Sequence, residues 1–170
     1  MVRNKTYNNL VDTLKELGVQ HDQITTTTTG DIWEIDLAKN TLFPLMHINP
    51  VNVQTGQSTL TYNFQIFVMD MVSEKSNWTQ ANFQSANNLS NNQEVLNETL
   101  QICIDIIGMF RPSQWQSQLT NDIDSPVYFG EGEFSIEPFS ERFDNELTGW
   151  VFPLSLTVHN DFQTCNIPVQ

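Results

Sequence analysis

Positive charge is scarce in this sequence. Seven lysines and arginines stand against 20 aspartates and glutamates, which gives a formal net charge of −13. After Lys75 the only cations are Arg111 and Arg142. Phosphate backbones and anionic membranes are held through clustered Lys and Arg, so this scarcity argues against both as binding partners. DNA that passes such a surface without being held remains compatible with it.

Cysteine and long hydrophobic runs are also scarce. Cys103 and Cys165 lie far apart and show no CxxC or Cys/His spacing, which predicts two reduced thiols and neither a disulfide framework nor a zinc site. No run approaches the roughly 18 to 20 apolar residues that a membrane span needs, and the first residues lack the apolar core of a signal peptide. We therefore expect the protein to be cytoplasmic at synthesis.

Two segments have the spacing of an amphipathic helix. In residues 7–17 apolar side chains recur every three or four positions, and Gly18 is the expected end of this short helix. From Asn92 to Phe110 the helical period returns with a wider apolar face over about five turns, closed by Pro112, and this segment is the main predicted helix.

Other segments alternate as strands do. Apolar residues occupy every second position over 60–68 and 152–158, and Trp33, Ile35 and Leu37 alternate with acids. Polar stretches at 76–93 and 112–125 predict long surface loops. Because helices and strands are grouped and not alternating, we predict one α+β domain over 1–170, an antiparallel sheet with two helices packed on one face.

A search for chemistry yields little. His21, His47 and His159 have no nucleophile or second ligand beside them in sequence, and Cys103 falls on the apolar stripe of the main helix. The acidic stretches lack the ordered oxygen ligands of a calcium loop, and no phosphate-binding glycine motif occurs. We expect no enzymatic activity, no metal and no cofactor.

One acidic stretch near the C-terminus, "EPFSERFDNELTGWVFPLSLTV", admits two interpretations. Its segment "SERFDNELTG", residues 140–149, joins two predicted strands, and a chain reversal this polar is ordinarily a solvated hairpin loop. Alternatively Arg142, flanked by Glu141, Asp144 and Phe143, anchors a contact between subunits, since arginine pairs with carboxylates and stacks on aromatic rings. Trp78, Trp115 and Trp150 are the matching aromatic candidates, which either meet a partner or pack back on their own domain.

The order of elements and two specific segments resemble a known family. The segments are "LNETLQICIDIIGMF" and residues 137–158. The second contains the motif "RFDNELTGW", whose matching residues are Arg142, Phe143, Asp144, Asn145, Leu147, Gly149 and Trp150. They are similar to the neck and tail-terminator family of tailed-phage virion proteins, and more closely to small structural proteins of phages that infect Bacteroidota, including the crAss-like group.

That resemblance implies a tail-terminator-like fold and a structural role in the virion. It implies a six-fold or twelve-fold ring of identical subunits between portal and tail, whose sheets line or wall the DNA channel, with adjacent neck, portal-adaptor or tail proteins as partners. An acidic surface suits such a channel because it repels DNA. The alternative from the residues alone is a small β-rich module that binds a glycan or peptide through Trp78 and Trp115.

Overall fold

The fold is described from a computed structural model over residues 5–31, 43–72, 91–110, 127–129, 134–142 and 146–159. The strand predicted around Trp33 and the loop predicted at 112–125 lie outside these residues. So does the loop predicted at 76–93, except for its last three positions. Two of those, Asn92 and Gln93, belong to a helix, which corrects the predicted end of that loop.

Helix α1 spans Lys5–Gln20 and buries Leu10, Leu14 and Leu17 along one stripe. It runs past Gly18, so the prediction that this glycine ends the helix was wrong. Gly18 is there for packing, because a Cβ at this position would overlap the Thr27 hydroxyl and lie 2.9 Å from the sulfur of Met46. The glycine thus lets the helix approach the sheet closely.

Helix α2 spans Asn92–Phe110, as the apolar period predicted. Ile102, Cys103 and Ile106 are fully or almost fully buried on its inner face. Glu94 lies in the first turn, where its carboxylate interacts favourably with the positive end of the helix dipole and stabilises the helix.

Within the described residues, six strands form one sheet. They are β1 (Thr26–Thr29), β2 (Leu45–Thr55), β3 (Thr59–Met71), β4 (Val127–Phe129), β5 (Glu137–Arg142) and β6 (Glu146–His159). Their order across the sheet is β1-β2-β3-β6-β4, and β5 pairs with the same edge of β6 as β4 does, at the opposite end of that strand.

The α+β class is confirmed, but the sheet is mixed and not purely antiparallel. All pairs are antiparallel except β1 with β2, which run parallel from Thr26 opposite Leu45 to Thr29 opposite Ile48. A run of threonines has no alternation of polarity, so its direction and partner could not be predicted from its own residues. The parallel pair makes β1 a short edge that covers only the beginning of β2.

Both helices pack on one face of this sheet. Their apolar stripes form a single core with alternate residues of the three long strands. The sheet side of this core includes Met46, Ile48, Tyr62, Phe64, Ile66, Val68, Phe152, Leu154, Leu156 and Val158. We call the opposite side of the sheet the outer face. A smaller cluster of Leu45, Met69 and Leu147 is buried at one end of the outer face.

Candidate subunit interface

The acidic stretch near the C-terminus is mostly strand. β5 continues to Arg142 and β6 begins at Glu146, so residues 140–142 and 146–149 of the predicted solvated loop lie in strands, while 143–145 lie outside the described residues. Glu141 is placed opposite Leu147 and Arg142 opposite Glu146. Local polarity predicted a turn here, whereas pairing with the edge of β6 continues the strand.

Of the predicted interface residues, Trp150 is the one whose side chain the structure describes. It is half-buried on the helix-facing side of β6, and its indole N–H donates to the backbone carbonyl of Leu96 in α2 at 2.7 Å. Trp150 therefore ties α2 to the sheet within the subunit. Phe143, Asp144, Trp78 and Trp115 lie outside the described part of the chain, so their interface roles stay predictions.

Gly149, next to Trp150, marks a close approach of two strands. A Cβ at this position would overlap the carbonyl oxygen of Val68 and lie 2.8 Å from the Cα of Met69. On the outer face the rings of Phe67 and Phe139 meet edge to face, with centroids 5.5 Å apart. The "GW" of the stretch thus serves packing: the glycine brings β6 against β3, and the tryptophan holds the helix.

The middle of the sheet carries no charge. Residues 48–69, which include most of β2 and β3, contain no Asp, Glu, Lys, Arg or His, and neither do residues 147–158 of β6. Such neutrality is unusual in a chain with a net charge of −13, because solvent-facing strand positions are ordinarily where charges go. Two acidic copies can therefore approach through this region with less like-charge repulsion than elsewhere.

Uncharged hydrogen bonds cross the outer face from strand to strand. The hydroxyls of Thr61 and Thr157 are 3.0 Å apart. Asn63 donates to Asn52 at 2.6 Å and accepts from the Ser155 hydroxyl at 2.6 Å. These bonds link β2, β3 and β6 through uncharged side chains.

The end of β2 and the start of β3 form a hairpin, residues 49–61, which we call the arm. Residues 51–58 are all exposed, and Val51 and Val53 keep 51% and 48% of their surfaces open to solvent. A bulge between Pro50 and Asn52 interrupts the pairing of β2 with β3 within the arm. The arm was not predicted as a site from the sequence. The absence of charged residues over 48–69 is the sequence feature that could have indicated it.

His47 is a structural histidine on the outer face, buried between β1 and β3. Its Nε2 lies 2.9 Å from the carbonyl oxygen of Gly30, which can only accept, so Nε2 carries the proton. Nδ1 then accepts from the Thr28 hydroxyl at 2.8 Å. Burial lowers the pKa of His47 below its ordinary 6.5, against the smaller opposing effects of the Gly30 carbonyl and the Asp31 charge.

Among the described residues, the ionisable side chains of Cys103, His21 and Asp70 also make their contacts within the fold. Burial raises the pKa of the Cys103 thiol to about 12, which leaves it protonated and unreactive at neutral pH. His21, at the end of α1, lies 3.5 Å from Asp105 of α2 and accepts the Gln23 amide at its other ring nitrogen. Burial likewise raises the pKa of Asp70, whose carboxylate accepts the Met71 amide.

Within the described ranges, no three His, Cys, Asp or Glu side chains are grouped so as to hold a metal ion. Over the same ranges, neither helix is long and apolar enough to cross a membrane. No protein-family model matches the chain, and no curated protein matches it at a significant level.

Proposed function

We propose that this protein is a structural subunit that assembles with copies of itself into a ring in the neck or tail of a tailed bacteriophage. The observation that carries the self-assembly is the uncharged middle of the sheet, residues 48–69 and 147–158, with its exposed arm in a chain of net charge −13. Neutral strand surface with exposed valines is suited to burial against another copy, because it brings little charge repulsion with it.

The assignment to a phage neck or tail rests on the resemblance of residues 137–158 and of helix α2 to virion proteins of that family. The proposed ring joins the portal side to the tail, lines or walls the DNA channel, and is reached by adjacent neck, portal-adaptor or tail proteins. Its net negative charge lets DNA pass without being held. The subunit has no catalytic role in this proposal.

Native mass measured over a concentration series, followed by negative-stain imaging of any large species, tests the proposal. We expect a closed ring with a central hole. A strict monomer at every concentration contradicts self-assembly. Titration of that monomer with sugars and peptides, followed by tryptophan fluorescence, then tests the alternative of a ligand-binding module.

Substitution of Arg142 tests the contact predicted from the sequence. We expect Arg142→Ala to lower the oligomer fraction while the thermal unfolding of the monomer stays nearly unchanged. Arg142→Lys is the matched control, because it keeps the charge but loses the planar fork that pairs with a carboxylate in two bonds. Unaltered assembly in Arg142→Ala would remove this role from Arg142.

A further inference from the structure

The outer edge of the arm presents main-chain groups for pairing with another strand. Gly56 donates its N–H to the Thr59 carbonyl at 2.8 Å, so these two residues form a hydrogen-bonded pair across the hairpin. Bonded and non-bonded pairs alternate along antiparallel strands. Thr55 and Val53, which lie opposite Leu60 and Tyr62, therefore turn their N–H and C=O groups away from β3, toward the open edge.

The neighbouring strand within the subunit stops before it reaches this edge. β1 covers β2 only from Leu45 to Ile48. At Gly30 the backbone adopts a φ of 123°, a conformation that glycine tolerates and other residues rarely adopt, and the chain leaves the strand. Among the described residues no strand lies beside β2 beyond Ile48, and Pro50 and the bulge limit the regular open edge to residues 52–55.

Among the described residues, the last strand on the opposite side of the sheet is β4, which lies at the same level. Thr55 lies opposite Leu60, Leu60 opposite Val158, and Val158 opposite Val127 of β4. Two rows further along the sheet, the same path leads from Val53 through Tyr62 and Leu156 to Phe129. The open arm edge and β4 are thus the two ends of the same three rows, and β4 carries no charge either.

The strand directions also fit a head-to-tail contact. β2, β3, β6 and β4 are each antiparallel to the next, so β4 runs opposite to β2. Copies related by rotation about an axis along the strands keep their strand directions, and β4 of one copy then meets β2 of the next as an antiparallel pair. This contact joins two different patches, as closure of a ring requires.

We propose that the arm edge of one subunit, residues 52–55, pairs with β4, Val127–Phe129, of a second copy and so extends one sheet from subunit to subunit. This inference rests on the proposed ring. The occupant is another copy because the edge offers main-chain groups and valines but no charge by which a basic partner would be attracted. So few main-chain hydrogen bonds set the register of neighbouring subunits but are only part of the interface, because stable interfaces bury about 1,000 Å² or more in total.

Cysteine cross-linking between separately made variants tests this contact. In a Cys165→Ser background, where the remaining Cys103 is unreactive, we expect Gln54→Cys mixed with Tyr128→Cys to give a disulfide-linked dimer under mild oxidation. Neither variant alone should cross-link, and the double variant should give a ladder of oligomers. Gln65→Cys mixed with Tyr128→Cys is the control, because Gln65 is exposed on the outer face but away from the edge.

The outcomes separate this inference from the proposed function. Rings that form by native mass without cross-linking above the control overturn the edge contact and leave the ring standing. Cross-linking of Gln54→Cys with itself overturns it in favour of two arms that pair about a two-fold axis. A monomer at every concentration overturns both proposals.

A backbone substitution gives an independent test. Val53→Pro removes the outward N–H while leaving the bonds to β3 in place, so we expect loss of the oligomer with unchanged far-UV circular dichroism. Val53→Thr keeps the N–H and the branched side chain and should assemble as the parent does. Full assembly of a folded Val53→Pro variant would overturn the contact.

Discussion

Two adjacent threonines in β1 have opposite environments. The Thr27 hydroxyl is buried against α1 without a hydrogen-bond partner, whereas the Thr28 hydroxyl on the other face donates to His47. A buried hydroxyl without a hydrogen-bond partner lowers stability. A hydroxyl that forms a hydrogen bond adds to stability, because its removal leaves the partner group without a hydrogen bond. The same substitution at the two positions therefore has opposite expected effects.

We expect Thr27→Val to raise the free energy of unfolding by about 1 kcal/mol and Thr28→Val to lower it by about 1 to 2 kcal/mol. Urea denaturation of the two variants measures both changes, and each variant is the control for the other. A loss of stability in both would mean that the Thr27 hydroxyl has a partner.

His47 makes the stability depend on pH. Its pKa is lower in the folded protein than the 6.5 of the unfolded chain, so below pH 6.5 the unfolded state binds a proton that the folded state does not. This contribution to stability is fully present above pH 6.5 and is lost as the pH falls toward the folded pKa.

We expect the urea midpoint to fall on acidification below pH 6.5, and to fall less in His47→Gln, although this variant starts from a lower stability at neutral pH. Asp70 acts in the opposite direction at lower pH, because its pKa is raised in the fold. An equal slope in the parent and in His47→Gln would show that other groups cause the pH dependence.

Two glycines illustrate what a strand and a helix each require. Gly149 of β6 has the backbone of β3 where a Cβ would stand, while Gly108 of α2 has nothing within 4 Å. Gly149→Ala forces the central strands apart. Gly108→Ala adds a methyl group to open space and removes the entropic cost of glycine in a helix.

We expect Gly149→Ala to destabilise the protein by several kcal/mol, about as much as strain or overpacking in a core does, and Gly108→Ala to stabilise it by about 0.5 to 1 kcal/mol. Thermal unfolding of both variants measures the difference. Equal small effects would contradict the close approach of β3 and β6 at Gly149.

Much of the secondary structure followed from local pattern. The alternation of residues 60–68 predicted β3, and the apolar face of residues 95–110 predicted α2, because each has a period that only one element matches. The end of α1 and the extent of β5 were not predicted. Gly18 lies in the helix because Thr27 and Met46 leave no room for a side chain, and β5 is a strand because the edge of β6 is free to pair.

The candidate site was predictable only in part, for the same reason. Local composition indicated Arg142 and Trp150 as candidates. Trp150, however, contacts helix α2 of the same chain through Leu96, a residue more than fifty positions away. The arm edge and β4 lie at the same height in the sheet, and this alignment depends on the register of three strand pairs. No single segment contains that register, so no local pattern could have revealed it.

At the scale of the whole molecule, the net charge opposes the proposed association. Copies of a chain with a net charge of −13 repel each other, and salt screens this repulsion over a Debye length of about 10 Å at 0.1 M. We expect the oligomer fraction, measured by sedimentation velocity, to rise with NaCl concentration, because the proposed contact through arm and β4 is uncharged. Dissociation with added salt would indicate that ion pairs, such as the one predicted for Arg142, contribute more to the assembly than the screening of this repulsion does.

The pairing of β3 with β6 has a consequence for how the chain folds as it is made. Thr59 lies opposite His159, so the central strand finds its main partner only after most of the chain has been synthesised. Contacts this distant in sequence slow folding, and before they form the nascent β3, whose residues 59–69 carry no charge, has one unpaired edge. Nascent chains are therefore prone to aggregate at this strand, and we expect soluble yield in expression to depend on chaperones more than on the stability of the finished domain.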